Sequence, residues 1–403
     1  MPKNVKILPD EIERLSLAMT PFVVQTFRHL HQFPELSHHE HKTADYICET
    51  LDALKIPYRR HIGGEGILAT LKCSEPSAKT IALRAEFDAL PITEQSDLPY
   101  ASQNEGIMHA CGHDAHTATL LGILKVLLSL KDKLRGTILF VFQPAEEQDP
   151  SGAMLMLNDN LFAETPPDVI LAQHSSADHK VGDIAISSGQ VMASADEVHV
   201  TIHGHGGHGA QPHLVNDTVL CAAQTLVSLQ QIVSRLCSPF SPSVLTFGNL
   251  HANGATNVIP SSVTLDGSFR AMDESWRRKG LCHIRDIINN TAQAYGCNAE
   301  ITMSEHGYPS VFNHPELTEN IQNHLKNYLG AEHVVPMPPK MTAEDFGFFS
   351  QKYNSCFFRF GVRGVNNPNC GSQHSPTFQI DEECFPTAIG GLTYATVSLL
   401  NES

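Results

Sequence analysis

The sequence predicts a two-domain protein of the α/β class in which a smaller α+β domain is inserted into a larger α/β domain. Three observations carry this. At 403 residues the chain exceeds the length over which one hydrophobic core keeps growing. Its first half alternates helical and strand patterns. Near Met192 that texture gives way to a βαββαβ order, the ferredoxin-like arrangement, and afterwards it returns. The expected boundaries are residues 1–191 and 305–403 for the two parts of the larger domain, and 192–304 for the insertion.

Apolar residues at helical spacing predict helices over residues 10–30 and 41–54. β-type runs over residues 81–87 and 136–143 predict strands, with a helix over 117–130 between them and a short buried strand over 169–173. Polar clusters fall at the ends of these strands, where open α/β sheets place their ligands. In the insertion the expected order is strand 198–203, helix 216–236, strands 243–250 and 263–270, helix 274–295 and strand 299–303. Pro309 and Pro315 punctuate its exit, and a helix over 315–329, a strand over 357–361 and a helix over 386–400 complete the larger domain.

Composition narrows the function classes. With 41% hydrophobic and 17% charged residues the chain reads as ordinary globular protein, and no stretch approaches the apolar length that spans a bilayer. Asp10, Glu11 and Glu13 lie within the first 20 residues, unlike a secretory signal, so a cytoplasmic location is expected. Lys plus Arg number 27 against 43 Asp plus Glu, a net charge of −16 that repels phosphate backbones and argues against a nucleic-acid partner. The ten cysteines contain no Cys-x-x-Cys pair and are expected to be reduced and mostly buried. The 23 histidines make metal chemistry the first thing to look for.

The strongest local signal is Met108-His109-Ala110-Cys111-Gly112-His113-Asp114-Ala115-His116, a thiol, three imidazoles and a carboxylate just before a helix. Cys111 and His113 can face one ion across a tightly turned Gly112, with Asp114 as an acceptor that fixes an imidazole tautomer; the alternative is a buried cysteine beside capping residues. Phe142-Gln143-Pro144-Ala145-Glu146-Glu147 places adjacent carboxylates after an apolar strand. Neighbouring side chains on extended backbone face opposite ways, so one can bind a metal while the other serves as general base; a solvated turn is the alternative. His174 and His374 are weak candidates taken singly. Glu86 and Asp88 share one face of a strand end and suit the orientation of a ligand. Asn257 and Arg270 can bind a substrate carboxylate, against the alternative of a surface ion pair.

Two patterns are set aside. Gly204, Gly206 and Gly209 have dinucleotide-binding spacing, but no Asp or Glu occurs between Asp217 and Asp266 where a ribose-binding acid belongs, and Pro212 interrupts the helix start. His208 and His213 in this glycine-rich loop instead look able to reach an active site. His38-His39-Glu40-His41 lacks the His-Glu-x-x-His spacing and reads as an exposed polar segment.

Taken together these segments resemble the hippurate hydrolases, indole-3-acetyl-amino-acid hydrolases and N-acyl-amino-acid amidohydrolases, relatives of the aminoacylase and carboxypeptidase metallopeptidases. The marks are His31-Gln32-Phe33-Pro34-Glu35-Leu36-Ser37, residues 83–91, 109–116, 143–147, Ser194-Ala195-Asp196-Glu197, residues 206–213, Asn257-Val258-Ile259-Pro260, Ala343-Glu344-Asp345-Phe346 and His374. The resemblance implies a zinc-peptidase-like catalytic domain with a mixed sheet and an inserted lid or dimerisation domain. It implies two divalent metal ions per subunit (Zn, Mn, Co or Ni), held by Cys111, His113, Glu147, His174 and His374, with Glu146 as general base and Asp88 counted among the catalytic residues. His208 resembles a histidine that reaches the neighbouring subunit's site, so a homodimer is implied; Asn257 and Arg270 resemble residues that hold the substrate carboxylate. The implied reaction is hydrolysis of an N-acyl amino acid to a carboxylic acid and a free amino acid. A dipeptidase or carboxypeptidase with the same metal centre is the first alternative, and a non-catalytic metal-binding protein the second. The sequence departs from the family where Glu86 replaces the usual Asp and where Ser175-Ser176 follows His174 in place of an apolar or aromatic residue.

Overall fold

A computed structural model describes residues 7–76, 78–365 and 369–402. Two compact units emerge: one formed by residues up to Gly189, by Phe312–Pro338 and by the chain from Phe348 onward, the other by Gln190–Val311 and Pro339–Gly347.

The first unit is organised by an eight-stranded mixed sheet. Its strands are β1 (Tyr58–Ile62), β2 (Gly66–Lys72), β3 (Thr80–Glu86), β4 (Thr137–Gln143), β5 (Val169–Lys180), β6 (Ile184–Ala185), β7 (Val334–Val335) and β8 (Ser355–Arg363), in the spatial order β1-β2-β4-β3-β5-β8-β6-β7. The central strands β4, β3, β5 and β8 run parallel, while β1 and β2 are antiparallel at one edge. Ile81, Leu83, Ile138, Phe140, Phe142, Leu171, Phe358 and Phe360 are buried, as a parallel sheet covered on both faces requires. Helices Pro9–Gln32, His113–Leu130 and Phe385–Asn401 pack against one another and share this core.

Three differences from expectation bear on the site. The helix expected over 117–130 begins at His113, so His113 and His116 occupy its first turn. The strand expected to end at Gln173 continues as β5 to Lys180, because β8 pairs along it from Ile170 to Lys180. His174 is therefore a mid-strand residue opposite Arg359. The pair β1 and β2 was not anticipated, since Arg59, Arg60 and His61 hide any apolar alternation in the first of them.

The second unit carries an antiparallel sheet of strands Asp196–His203, Ser243–Ala252, Ser262–Ala271 and Asn298–Met303, arranged second, third, first, fourth. Helices Thr218–Leu229 and Glu274–Ala294 connect them in the ferredoxin-like βαββαβ order. Val198, Val200, Ile202, Leu265, Phe269, Ile284 and Ile288 form its core. Each helix starts on an aspartate whose side chain accepts a backbone N–H of the first turn: Asp217 from Leu220 and Asp273 from Trp276. The helix expected to reach Leu236 stops at Leu229, and a wider π turn covers Ile232–Leu236. Among the described residues, no helix is long and apolar enough to cross a membrane.

Candidate functional site

The site of the first unit is assembled from chain segments leaving the carboxyl ends of the central strands. Gly112 caps helix His113–Leu130 in a left-handed conformation, φ 91°. A Cβ there would lie 2.5 Å from Ser175 Oγ, so both the turn and the close approach require glycine. This turn brings Cys111 and His113 together with Glu147, and their ligand atoms lie within 4.8 Å of one another.

Glu146 and Glu147 follow β4 through a second special turn, in which Ala145 has φ 48°. The Ala145 N–H donates to Glu40 Oε1 at 2.8 Å, and its carbonyl accepts from Gly152 N at 2.8 Å. His113 Nε2 lies 3.8 Å from Glu147 Oε1 and 3.9 Å from Glu146 Oε2. His374, also at positive φ, points Nε2 to within 3.1 Å of Glu147 Oε1. His174 Nε2 stands 3.6 Å from Cys111 Sγ. The structure thus brings Cys111, His113, Glu147, His174 and His374 together, with Glu146 buried beside them.

Hydrogen bonds settle which ring nitrogens are available. His113 Nδ1 faces the carboxylate and the carbonyl of Asp88, both at 3.0 Å; two acceptors require Nδ1 to carry a proton, so Nε2 is the nitrogen that faces the cluster. Asp88 Oδ2 also accepts from Ser37 Oγ at 2.7 Å and from Glu147 N at 2.9 Å. Asp88 therefore positions two candidate ligands at once. His174 Nδ1 donates to Ser175 O at 2.8 Å, leaving its Nε2 lone pair toward Cys111. Glu86, His113, His116 and His174 also approach one another, yet His116 is committed elsewhere: its Nδ1 donates to Glu86 Oε1 at 2.6 Å and its Nε2 accepts from Ser175 N at 2.7 Å. Glu86 in turn accepts from Arg84 at 2.5 Å, so Glu86 and His116 orient and neutralise rather than ligate.

The charge state of the cluster fits a cation. Burial, then the neighbouring Glu147 and Glu146, push the Cys111 thiol well above its ordinary range. Burial holds the His174 ring neutral, well below the usual imidazole value. For His113 burial is outweighed by the Asp88 hydrogen bond and by Glu86, Asp88 and Glu147, which raise it to about 10. Burial opposes ionisation of Glu86 as well, but Arg84, His116 and His113 hold it well below the carboxylate range. Among the described residues His113 Nε2 is buried without a hydrogen-bond partner, and Glu147 Oε1 is approached by His374 Nε2 at 3.1 Å. Once Cys111 and His113 give up their protons, a thiolate, imidazole nitrogens and a carboxylate converge there, which matches the donor set of a divalent transition ion.

Several contributors were not singled out from sequence. Gln373 places its amide 3.3 Å from both His174 Nδ1 and Ser175 O. Ser37 and Glu40 hold Asp88 and Ala145, and Glu40 is fully buried, which corrects the reading of His38-His39-Glu40-His41 as exposed throughout. Burial, followed by the charge of Asp88, raises the Glu40 carboxyl to about 8. Asp114 fixes a histidine, but it is His31: Asp114 Oδ2 lies 2.6 Å from His31 Nδ1, with Glu94 on the other ring nitrogen.

The remaining predicted residues belong to the second unit. His208 is exposed on a two-residue strand paired with Val258–Ile259, and Asn257 accepts from Gly209 N at 2.8 Å, so the two are neighbours. Arg270, on strand Ser262–Ala271, is partly buried and makes no ion pair among the described residues, with Asp196 and Glu197 its closest charges. The Asp196 carboxylate is already gripped by both arms of Arg277 at 2.7 and 2.8 Å.

A parallel-centred sheet that gathers thiol, imidazole and carboxylate groups around the buried Glu146 and the half-buried Glu147 at its strand ends defines a metal-dependent hydrolase. The chain belongs to Peptidase family M20/M25/M40, whose sequence profile matches residues 82–396. It is 37% identical to the N-acetyldiaminopimelate deacetylase of Streptococcus sanguinis, across 90% of this chain and 94% of that protein. It is 33% identical to thermostable carboxypeptidase 1 of Saccharolobus solfataricus, across 94% and 95%. Among solved structures it is similar to the Bacillus subtilis YXEP protein, a dinuclear metal binding peptidase of the M20 family, with TM-score 0.81, 30% identity and coverage of 95% and 99%. The chain is accordingly a metal-dependent amide hydrolase.

Proposed function

We propose that this hydrolase cleaves the amide bond of N-acyl amino acids, releasing a carboxylic acid and a free amino acid. The observation that carries the reading is Glu146, buried beside the five converging ligands, 3.9 Å from His113 Nε2. A metal store has no use for a general base there. The partly buried and unpaired Arg270 supports a substrate with a free carboxylate, and the relative named N-acetyldiaminopimelate deacetylase supports an acylated amine.

Cys111, His113, Glu147, His174 and His374 would hold the ions, and Asp88 keeps a proton on His113 Nδ1. When bound, the ions polarise the amide carbonyl and make water more acidic. Glu146 takes a proton from the attacking water and delivers it to the departing nitrogen. His208 donates to the carbonyl oxygen as it gains charge, and Asn257 and Arg270 hold the carboxylate of the amino-acid half. The chain acts as a homodimer in which His208 serves the neighbouring subunit. Exposed apolar residues of the second unit support this assembly, including Leu220, Val227 (66% exposed) and Phe240 (94%), next to the open edge strand Ser243–Ala252.

The test is hydrolysis of N-acetyl, N-benzoyl and indole-acetyl amino acids beside dipeptides, by metal-free protein before and after adding Zn, Mn, Co or Ni. Metal should restore cleavage of an acyl amino acid at least roughly tenfold faster than of any dipeptide. Turnover of dipeptides alone would establish the peptidase reading, which the carboxypeptidase relative favours.

A further inference from the structure

The segment formed by residues 35–43 touches the turns beyond both β3 and β4. The Glu35 carbonyl accepts from Ala89 N at 2.9 Å, and Leu36 bridges to Ala89 in parallel. Ser37 Oγ donates to Asp88 Oδ2 at 2.7 Å. Glu40 Oε1 accepts the Ala145 N–H at 2.8 Å from 105 residues away. The segment is itself stiffened by Glu35 Oε2, which accepts from Thr43 N at 2.8 Å and Thr43 Oγ1 at 3.0 Å.

Ala145 is a non-glycine residue at φ 48°, a conformation that persists only where the surroundings impose it. Two contacts do so: Glu40 on its N–H and Gly152 on its carbonyl. Gly152 is itself confined to glycine, because a Cβ would fall 1.7 Å from Pro144 O. Glu146 and Glu147 are the next two residues, so the direction in which they leave β4 is set by this turn.

We propose that residues 35–43 form a positioning element for the hydrolytic site, in which Glu40 holds the left-handed Ala145 turn that aims Glu146 and Glu147, and Ser37 holds Asp88. The proposal rests on the assignment of Glu146 as the proton carrier. Glu40 is a positioning residue, since it acts through the backbone of Ala145 and not on substrate. One of its oxygens does the work; Oε2 has no hydrogen-bond partner. An amide side chain supplies the same acceptor, so shape and acceptor matter at this position more than charge.

The test compares E40Q, E40L and S37A in the metal-loaded protein. E40L should lower kcat on the order of 10- to 100-fold while KM stays within about twofold, the pattern of a misaimed proton carrier. The conservative E40Q keeps the acceptor and should rescue most of that loss. Hydrogen exchange of the Ala145 amide gives a readout independent of turnover: faster in E40L, protected in wild type and E40Q. Equal protection of that amide in all three proteins, or equal loss of kcat in E40L and E40Q, overturns the proposal. If E40L does not fold, S37A carries the test through Asp88, with weaker metal retention against a chelator expected and restored by S37T; unchanged retention in S37A counts against the proposal. Failure of the wild type to cleave any acyl amino acid would remove the substrate assignment, while the contrast in Ala145 exchange would still decide the role of Glu40.

Discussion

Replacing Asp88 with Asn should loosen metal binding through the proton on His113. In the native site Asp88 Oδ1 accepts from His113 Nδ1, and Oδ2 accepts from both Ser37 Oγ and Glu147 N. Asparagine has one accepting oxygen and one donating NH2. If the NH2 faces His113, the ring must accept at Nδ1 and carry its proton on Nε2, the atom that faces the cluster; only the Asp88 carbonyl, also 3.0 Å from Nδ1, opposes this flip. If instead the NH2 faces Glu147 N, two donors oppose each other in a position only 1% exposed. Either orientation damages one ligand. Loss of such an orienting partner costs about 10- to 100-fold in metal affinity, or roughly 1.4–2.8 kcal/mol. Chelator competition with Zn or Co, on D88N and wild type of matched folded fraction, measures this directly. Affinities within about twofold of each other would refute the tautomer argument, and a loss confined to kcat would move Asp88 from ligand orientation to the reaction itself.

Three further outcomes follow from the geometry. E146Q should keep full metal stoichiometry by elemental analysis yet lose about 10²- to 10⁴-fold in kcat, because the role proposed for Glu146 is to move the proton and not to hold an ion. G112A should be destabilised by at least ~1–2 kcal/mol from the left-handed turn alone, before the Ser175 clash is added; a thermal melt and the metal content should fall together. Metal binding should release protons, about two per first ion, since Cys111 lies well above its usual range and His113 near 10 in the metal-free protein. Both must deprotonate to ligate, so affinity rises with pH through the neutral range; calorimetry in buffers of different ionisation enthalpy counts the protons, and a pH-independent affinity would contradict the arrangement.

The candidate ligands were legible because their chemistry is local and uncommon. Cys111-Gly112-His113 and Glu146-Glu147 declare themselves in a few residues, and strand ends are where an α/β sheet displays such groups. The parts that escaped depend on partners far away in sequence. Glu40 looks like one more polar residue among histidines, and nothing near it reveals that its acceptor role is to a backbone amide 105 residues on. Gln373 is hidden similarly, 199 residues from His174. His116 shows the reverse: it sits amid ligand types, and only its two committed nitrogens remove it from the ligand set. Among the strands, β1 and β2 were missed because Arg59, Arg60 and His61 break the alternation, while the apolar run of β2 has no period of its own.

The order of the strands also bears on how the chain is made. β8 lies between β5 and β6, although it is translated some 170 residues after both, with the whole second unit synthesised in between. A nascent chain can therefore present Cys111, His113, Glu147 and His174 while the middle of its sheet is still missing and His374 has yet to leave the ribosome. The second unit, nearly contiguous in sequence, has no such wait. Synthesis of the first unit thus leaves an interval in which Cys111, His113 and His174 have been made while β8 and His374 have not.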